Sequence, residues 1–149
     1  MEVSLDKKLE LIGKIDFFSN FDETDRKNMA QIATFKGYEA KEMLIEQNSI
    51  NLHLIFIING EVNIVINGKF ITTLMGGGHV FGEMSFVHHS PASASVVANT
   101  KVVAMLFDTS KINLMYEPQY HKLRMEIYHS CARILAKRLL QANTLAAKN

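Results

Sequence analysis

Apolar positions keep three different rhythms along the chain, and each predicts a different kind of structure. Leu5, Leu9, Ile12 and Ile15 recur at spacings of three and four, with Lys7, Lys8, Glu10 and Lys14 mostly on the opposite side. That stripe predicts an amphipathic helix. Phe17, Phe18 and Phe21 follow as a cluster, read as packing of the lead-in onto the main body. Asp22 is a good N-cap for a second helix running through Met29, Ile32 and Ala33, with Asp25 in its first turn. From about residue 34 the period becomes that of strands. Residues 53–59 (HLIFIIN) are a continuous apolar run, Val62, Ile64 and Ile66 alternate with Asn63, Val65 and Asn67, and residues 70–74 suggest another strand. Asn67-Gly68 between two such runs is a strong hairpin signal, because both turn positions need positive φ. Asn59-Gly60 marks a second turn, and residues 95–98 and 101–107 supply further strands joined at Asn99-Thr100. Short strands with frequent turn signals predict a barrel or sandwich-like β unit rather than a parallel βαβ sheet.

The last third is helical again. Asp108 caps a short helix expected over residues 109–116, and Pro118 stands where the first turn of a long helix tolerates proline. From there to about Ala146 nothing breaks a helix. Leu123, Ile127 and Ile134 form one apolar face, and Tyr128, Cys131, Leu135, Leu139 and Ala142 form a neighbouring one. One face suffices to dock the helix on the β unit. The second predicts a partner, most simply the same helix of another copy in a homodimer, with deeper burial in its own domain as the rival reading.

Composition narrows the class. At 149 residues, 48% hydrophobic and 21% charged, the chain is one globular domain spanning residues 1–149: a helical lead-in at about 4–33, a β unit at about 34–107 and C-terminal helices at about 108–147. Lys and Arg number 16 against 15 Asp and Glu, which excludes a chain-wide basic field for nucleic acid or an anionic membrane. The single cysteine, Cys131, excludes an internal disulfide and fits a reducing compartment; it reads as a small packed residue. No segment approaches the roughly 20 apolar residues of a spanning helix, and the first residues lack the apolar block of a secretory signal. A cytoplasmic location is expected.

Candidate chemistry concentrates in residues 74–97, LMGGGHVFGEMSFVHHSPASASVV. Gly76, Gly77 and Gly78 allow a tight turn. Gly82 opening a short helix would leave backbone N–H groups aimed at one spot, which suits a phosphate. The carboxylate of Glu83 beside it can accept from a sugar hydroxyl, and the turn at Ala92-Ser93-Ala94-Ser95 can add hydroxyl and amide donors.

These motifs, with the FF…F cluster, Gly60-Glu61-Val62 after a strand, G-x-G-x-x-F-G-E at residues 76–83 and the long last helix, resemble the cyclic-nucleotide-binding domains shared by catabolite-activator-type regulators, protein kinase A regulatory subunits and cyclic-nucleotide-gated channels. The resemblance covers roughly residues 9–144. It implies an α+β fold: an eight-stranded β-roll, a jelly-roll-like double-stranded β-helix, with N-terminal helices and a long C-terminal helix. It also implies a phosphate-binding cassette in which Glu83 takes the ribose 2′-hydroxyl. Gly82, Met84 and Ser85 would line the phosphate side, with Ser93 and Ala94 opposite. At the end of the long helix, which swings over the ligand as a lid in the family, the resemblance places Asn143 and Thr144 near the base.

One position departs from the pattern. Where the family carries an arginine facing the cyclic phosphate, this chain has Ala92. Losing one partner of a buried charge pair costs about 2–5 kcal/mol, and Glu83 would also lose a nearby countercharge. Cyclic AMP is therefore expected to bind in the micromolar range or weaker. His79, His88 and His89 are read as solvated loop residues, with a pH-dependent phosphate contact as the rival reading. His53, His121 and His129 have no metal-site spacing, so no metal is expected. Lys137 and Arg138 read as a short basic spot on a solvated helix face, and no helix-turn-helix follows before Asn149, so DNA reading is not expected.

The expectation is thus a non-enzymatic, ligand-sensing regulatory module without a cofactor. Its ligand is a nucleotide second messenger: a cyclic mononucleotide held weakly, or a different molecule such as a cyclic dinucleotide. The signal would leave through the C-terminal helix, to a second copy or to a partner protein. The rival is a protein-interaction or scaffold domain whose pocket is vestigial.

Overall fold

The computed structural model describes residues 2–115 and 117–148. Helix α1 (Leu5–Lys14) is capped by the Ser4 hydroxyl accepting from the Lys7 N–H, and a 3₁₀ turn (Asp16–Phe18) follows it. Helix α2 (Glu23–Ile32) begins as its sequence predicts, with the Asp22 carboxylate accepting from the Asp25 N–H at 2.8 Å. The short helix α4 (Thr109–Asn113) is likewise capped by Asp108. It ends earlier than expected, with Tyr116 outside the described residues. A 3₁₀ turn at Pro118–Tyr120 leads into the long helix α5 (His121–Lys148).

Eight strands form two four-stranded antiparallel sheets. One has the order β1 (Ala33–Tyr38), β8 (Val102–Asp108), β3 (His53–Asn59), β6 (Val80–Phe81). The other has the order β2 (Met43–Ile45), β7 (Ser95–Ala98), β4 (Glu61–Ile66), β5 (Lys69–Met75). The β4–β5 hairpin turns at Asn67 (φ 52°) and Gly68 (φ 77°), the two positive-φ positions the Asn-Gly signal requires. Strands β2 and β6 escape sequence detection, because three or two residues cannot display an alternation.

The first sheet is covered on both faces, which explains why β3 reads as a continuous apolar run. Leu54 and Phe56 point to the helices and Ile55 and Ile57 to the second sheet. On the helix side, Phe17, Phe18, Phe21, Phe56 and Phe107 pack with ring centroids 5.0–6.1 Å apart. Ile12, Met29, Ile112, Leu123, Ile127 and Cys131 close around them. The N-terminal phenylalanines are therefore core, as their position predicts.

The faces of α5 differ from the two-stripe expectation. Cys131 is fully buried beside Leu123 and Ile127, so it belongs to the docking face and not to the second stripe. Tyr128 stacks on Phe86 of the same chain, with centroids 5.0 Å apart. Among the described residues no helix is long and apolar enough to cross a membrane.

Candidate functional site

Between β6 and β7 the chain builds a compact cassette. Gly82 takes φ 94°, and a side chain there would collide with the His53 carbonyl oxygen and the Asn51 amide, so glycine is required both by conformation and by space. Helix α3 (Glu83–His88) starts at this point, with the Phe86 N–H donating to the Gly82 carbonyl at 3.1 Å. The N–H groups of its first turn have no intrahelical acceptor. His89 ends it at φ 54°, and the Ser85 hydroxyl donates to the Ser90 carbonyl at 2.8 Å, which fixes the loop. The far side of the cassette is held by a reciprocal backbone pair: Asn48 N–H donates to the Ala92 carbonyl at 2.8 Å, and Ala92 N–H donates to the Ser49 carbonyl at 2.9 Å.

These segments enclose a cavity of about 300 Å³. Its walls are apolar, from Ile45, Ile64, Ile66, Leu74, Phe81 and Val96, and one edge is the cassette. Gly82, Glu83, Met84, Ser85, Ala92, Ser93 and Ala94 all line it, so the residues drawn from two separated stretches of sequence meet around one space. A mostly apolar cavity with a few convergent polar groups is the usual form of a small-molecule site. Asn143 and Thr144 are not brought there. Both lie on the exposed last turns of α5, and the Thr144 hydroxyl donates back to the Leu140 carbonyl at 2.9 Å.

The helix residue that does reach the cavity is Arg138. Its Nη1 pairs with Glu83 Oε1, and its Nη2 donates to the Val80 carbonyl at 2.6 Å. Glu83 is 4% exposed, so this pairing supplies the countercharge a buried carboxylate needs. Although 42% of the Arg138 side chain remains exposed, burial draws its guanidinium below the ordinary pKa range. The reading of Arg138 as part of a solvated basic spot is thus corrected, and so is the expectation that Glu83 lacks a countercharge. The signal was present in the spacing: Ile127, Cys131, Ile134 and Arg138 follow one another at four, three and four residues, on one helix face.

The histidines do not line this cavity. His79 hydrogen-bonds through Nε2 to the Met75 carbonyl at 3.0 Å, and His88 and His89 are exposed. Among the described residues no group of three or more His, Cys, Asp or Glu side chains is placed to hold a metal ion.

Comparison with known proteins agrees with this architecture. Residues 35–118 match the cyclic nucleotide-binding domain family. The cAMP-dependent protein kinase regulatory subunit of Schizosaccharomyces pombe is 28% identical over 103 residues, which is 69% of this chain and 25% of that protein. The chain thus spans about a quarter of the length of the curated relatives it matches. Among solved structures, a cyclic nucleotide-binding domain from Methylobacillus flagellatus superimposes with a TM-score of 0.79 at 20% identity, covering 97% of this chain and 84% of that one. The regulatory subunit of a cAMP-independent protein kinase A from Trypanosoma brucei does so with a TM-score of 0.75 at 18% identity, covering 97% and 48%. With its two antiparallel sheets, its helical lead-in and its long last helix, the chain belongs to the cyclic nucleotide-binding domain family, a non-catalytic class of regulatory domain.

Proposed function

We propose that this domain senses a nucleotide second messenger and passes the signal on through α5, with a cyclic mononucleotide held weakly as the ligand to test first. The observation that carries this reading is the convergence of the two cassette stretches on one cavity, with a buried carboxylate, Glu83, in its wall. A carboxylate there can accept from a ribose hydroxyl, and the first-turn N–H groups of α3 can donate to a phosphate.

Weak binding follows from the cassette's far side. The Ala92 side chain packs with the inter-sheet cluster and presents only a methyl group to the cavity. The related trypanosome regulatory subunit belongs to a cAMP-independent kinase, and a triple variant of it, one change of which introduces an arginine, is bound to cAMP in its A site. Calorimetry is the direct test. The unmodified protein should bind cyclic AMP in the micromolar range or weaker, and Ala92→Arg should strengthen binding at least ~10-fold by adding a charge-assisted partner for the phosphate. Submicromolar binding by the unmodified protein would refute the role given to Ala92. If neither form binds a cyclic mono- or dinucleotide, the domain acts as an interaction module with a vestigial pocket.

For the output side, α5 carries Leu139, Leu140 and Leu145 exposed and Leu135 half-buried. We assign this surface to self-association of two α5 helices, with Leu135 and Ala142 at the seam.

A further inference from the structure

We propose that a second cavity, separate from the cassette, binds a small organic phosphate, with its apolar body on a hydrophobic floor and its phosphate held by Lys137. This cavity has a volume of about 490 Å³ and lies between α5, the 3₁₀ turn (Asp16–Phe18) and the loop from β5 to β6. It shares only Leu74 and Arg138 with the cassette cavity, and none of the cassette residues lines it. The proposal does not depend on what the cassette binds.

The floor is apolar, from Phe17, Leu74, Val80 and Ile134. The frame around it is pinned on two sides. Arg133 Nη1 donates to Asp16 Oδ2 at 3.1 Å and Nη2 donates to the Asp16 carbonyl at 3.3 Å, which ties α5 to the 3₁₀ turn. In the loop, Gly78 N–H donates to the Ile57 carbonyl at 2.8 Å, and Ile57 N–H donates to the His79 carbonyl at 2.9 Å. The His79 ring is held as well. A carbonyl only accepts, so the 3.0 Å bond to the Met75 carbonyl puts a proton on Nε2. A ligand therefore meets walls already in place, and little ordering opposes its binding.

Three cations line this space, and two of them are already matched. Arg133 pairs with Asp16, and Arg138 pairs with Glu83. Lys137, one turn after Arg133 on the same helix face, is exposed and has no carboxylate partner among the described residues. Gln141, a further turn on, adds an amide donor. A negatively charged group with several acceptor oxygens satisfies both, and a phosphate ester is such a group. The volume suits a small molecule. An acidic side chain of a partner protein would reach Lys137 and leave the floor uncovered.

The probe is phenyl phosphate, followed by amide NMR shifts. Titrated in the millimolar range, it should give saturable shifts at Gly78, His79, Lys137 and Gln141. Inorganic phosphate and benzyl alcohol each carry one half of the ligand and should bind at least ~10-fold more weakly. Lys137→Glu should weaken phenyl phosphate binding at least ~10-fold and leave the unfolding midpoint in place, because the side chain is exposed. Lys137→Arg should keep the binding. An absence of saturable shifts at these four amides overturns the site, and so does Lys137→Glu binding as tightly as the unmodified protein. Inorganic phosphate binding as tightly as phenyl phosphate overturns the role of the floor. Shifts confined to residues 82–85 and 92–94 assign the anion to the cassette alone, which overturns the second site and leaves the nucleotide-sensing reading standing.

Discussion

The first sheet has two faces, and they are built to different standards. On the helix side, five phenylalanines interlock and α1, α2 and α5 seal them from water. On the other side, between the sheets, the cluster is mostly aliphatic, from Ile45, Ile55, Ile57, Val62 and Val96 with Tyr38 and Phe81 at its edges, and it opens into the cassette cavity. One cluster is filled and the other is left with room. The polar groups divide in the same way. Around the aromatic cluster they tie elements together: Ser130 donates to the Phe17 carbonyl at 2.7 Å, and Lys122 reaches both Asp22 and Asp25, at 2.8 and 3.0 Å. At the cavity, Glu83 and Arg138 also tie the cassette to α5, but both line an open space as well. The comparison teaches that stability and ligand sensing are assigned to opposite faces of the same strands, with α5 touching both: Ile127 and Cys131 in the aromatic cluster, Arg138 at the cavity.

The comparison is broken most directly on the sealed side. Phe18→Ala removes a fully buried ring in contact with four others, and should cost about 3–5 kcal/mol in urea unfolding. A loss under ~1 kcal/mol would mean the cluster relaxes and is not close-packed.

Gly82→Ala strikes the open side. The forced left-handed φ and the collision with the His53 carbonyl predict a loss of about 1–3 kcal/mol, accompanied by faster hydrogen exchange in the cassette but not in α1 or α2. Unchanged cassette exchange would show that the sharp entry into α3 is not needed to hold the site.

The outer face of α5 belongs to neither cluster, and Leu135→Glu asks what it is for. If two copies pair there, light scattering should find a dimer for the unmodified protein and a monomer for the variant, with little change in the unfolding of the monomer. A monomeric unmodified protein at tens of micromolar would sink the pairing.

The smallest effect lies at the buried thiol. Burial pushes Cys131 up to about 12, whereas an unfolded chain ionises it near its ordinary value of about 8.5. Between those values the unfolded state sheds a proton that the folded state keeps, so stability falls as pH rises from about 9 towards 12. Cys131→Ala should flatten that alkaline limb. The native thiol should also resist alkylation at about pH 8, where an exposed one reacts; rapid labelling would show that α5 opens readily.

Much of this fold can be read without coordinates, for reasons that are local. Asp22 and Asp108 cap helices because a short carboxylate reaches the N–H groups of its own first turn. Asn67-Gly68 turns a hairpin because few other pairs accept positive φ twice. The cassette residues are legible because their order and spacing form a motif, and the structure places Gly82 to Ser85 and Ala92 to Ala94 around a common cavity. What escaped is what depends on distance in space. Strands β2 and β6 exist only because β7 and β3, distant in sequence, lie beside them to share backbone hydrogen bonds. Cys131 changed faces because two adjoining stripes differ by a fraction of a turn, and only packing selects between them. Arg138 and Glu83 stand fifty-five residues apart. A charge on a helix surface announces its sign but not its partner, so whether Arg138 meets water or a buried carboxylate was decided by where α5 docks.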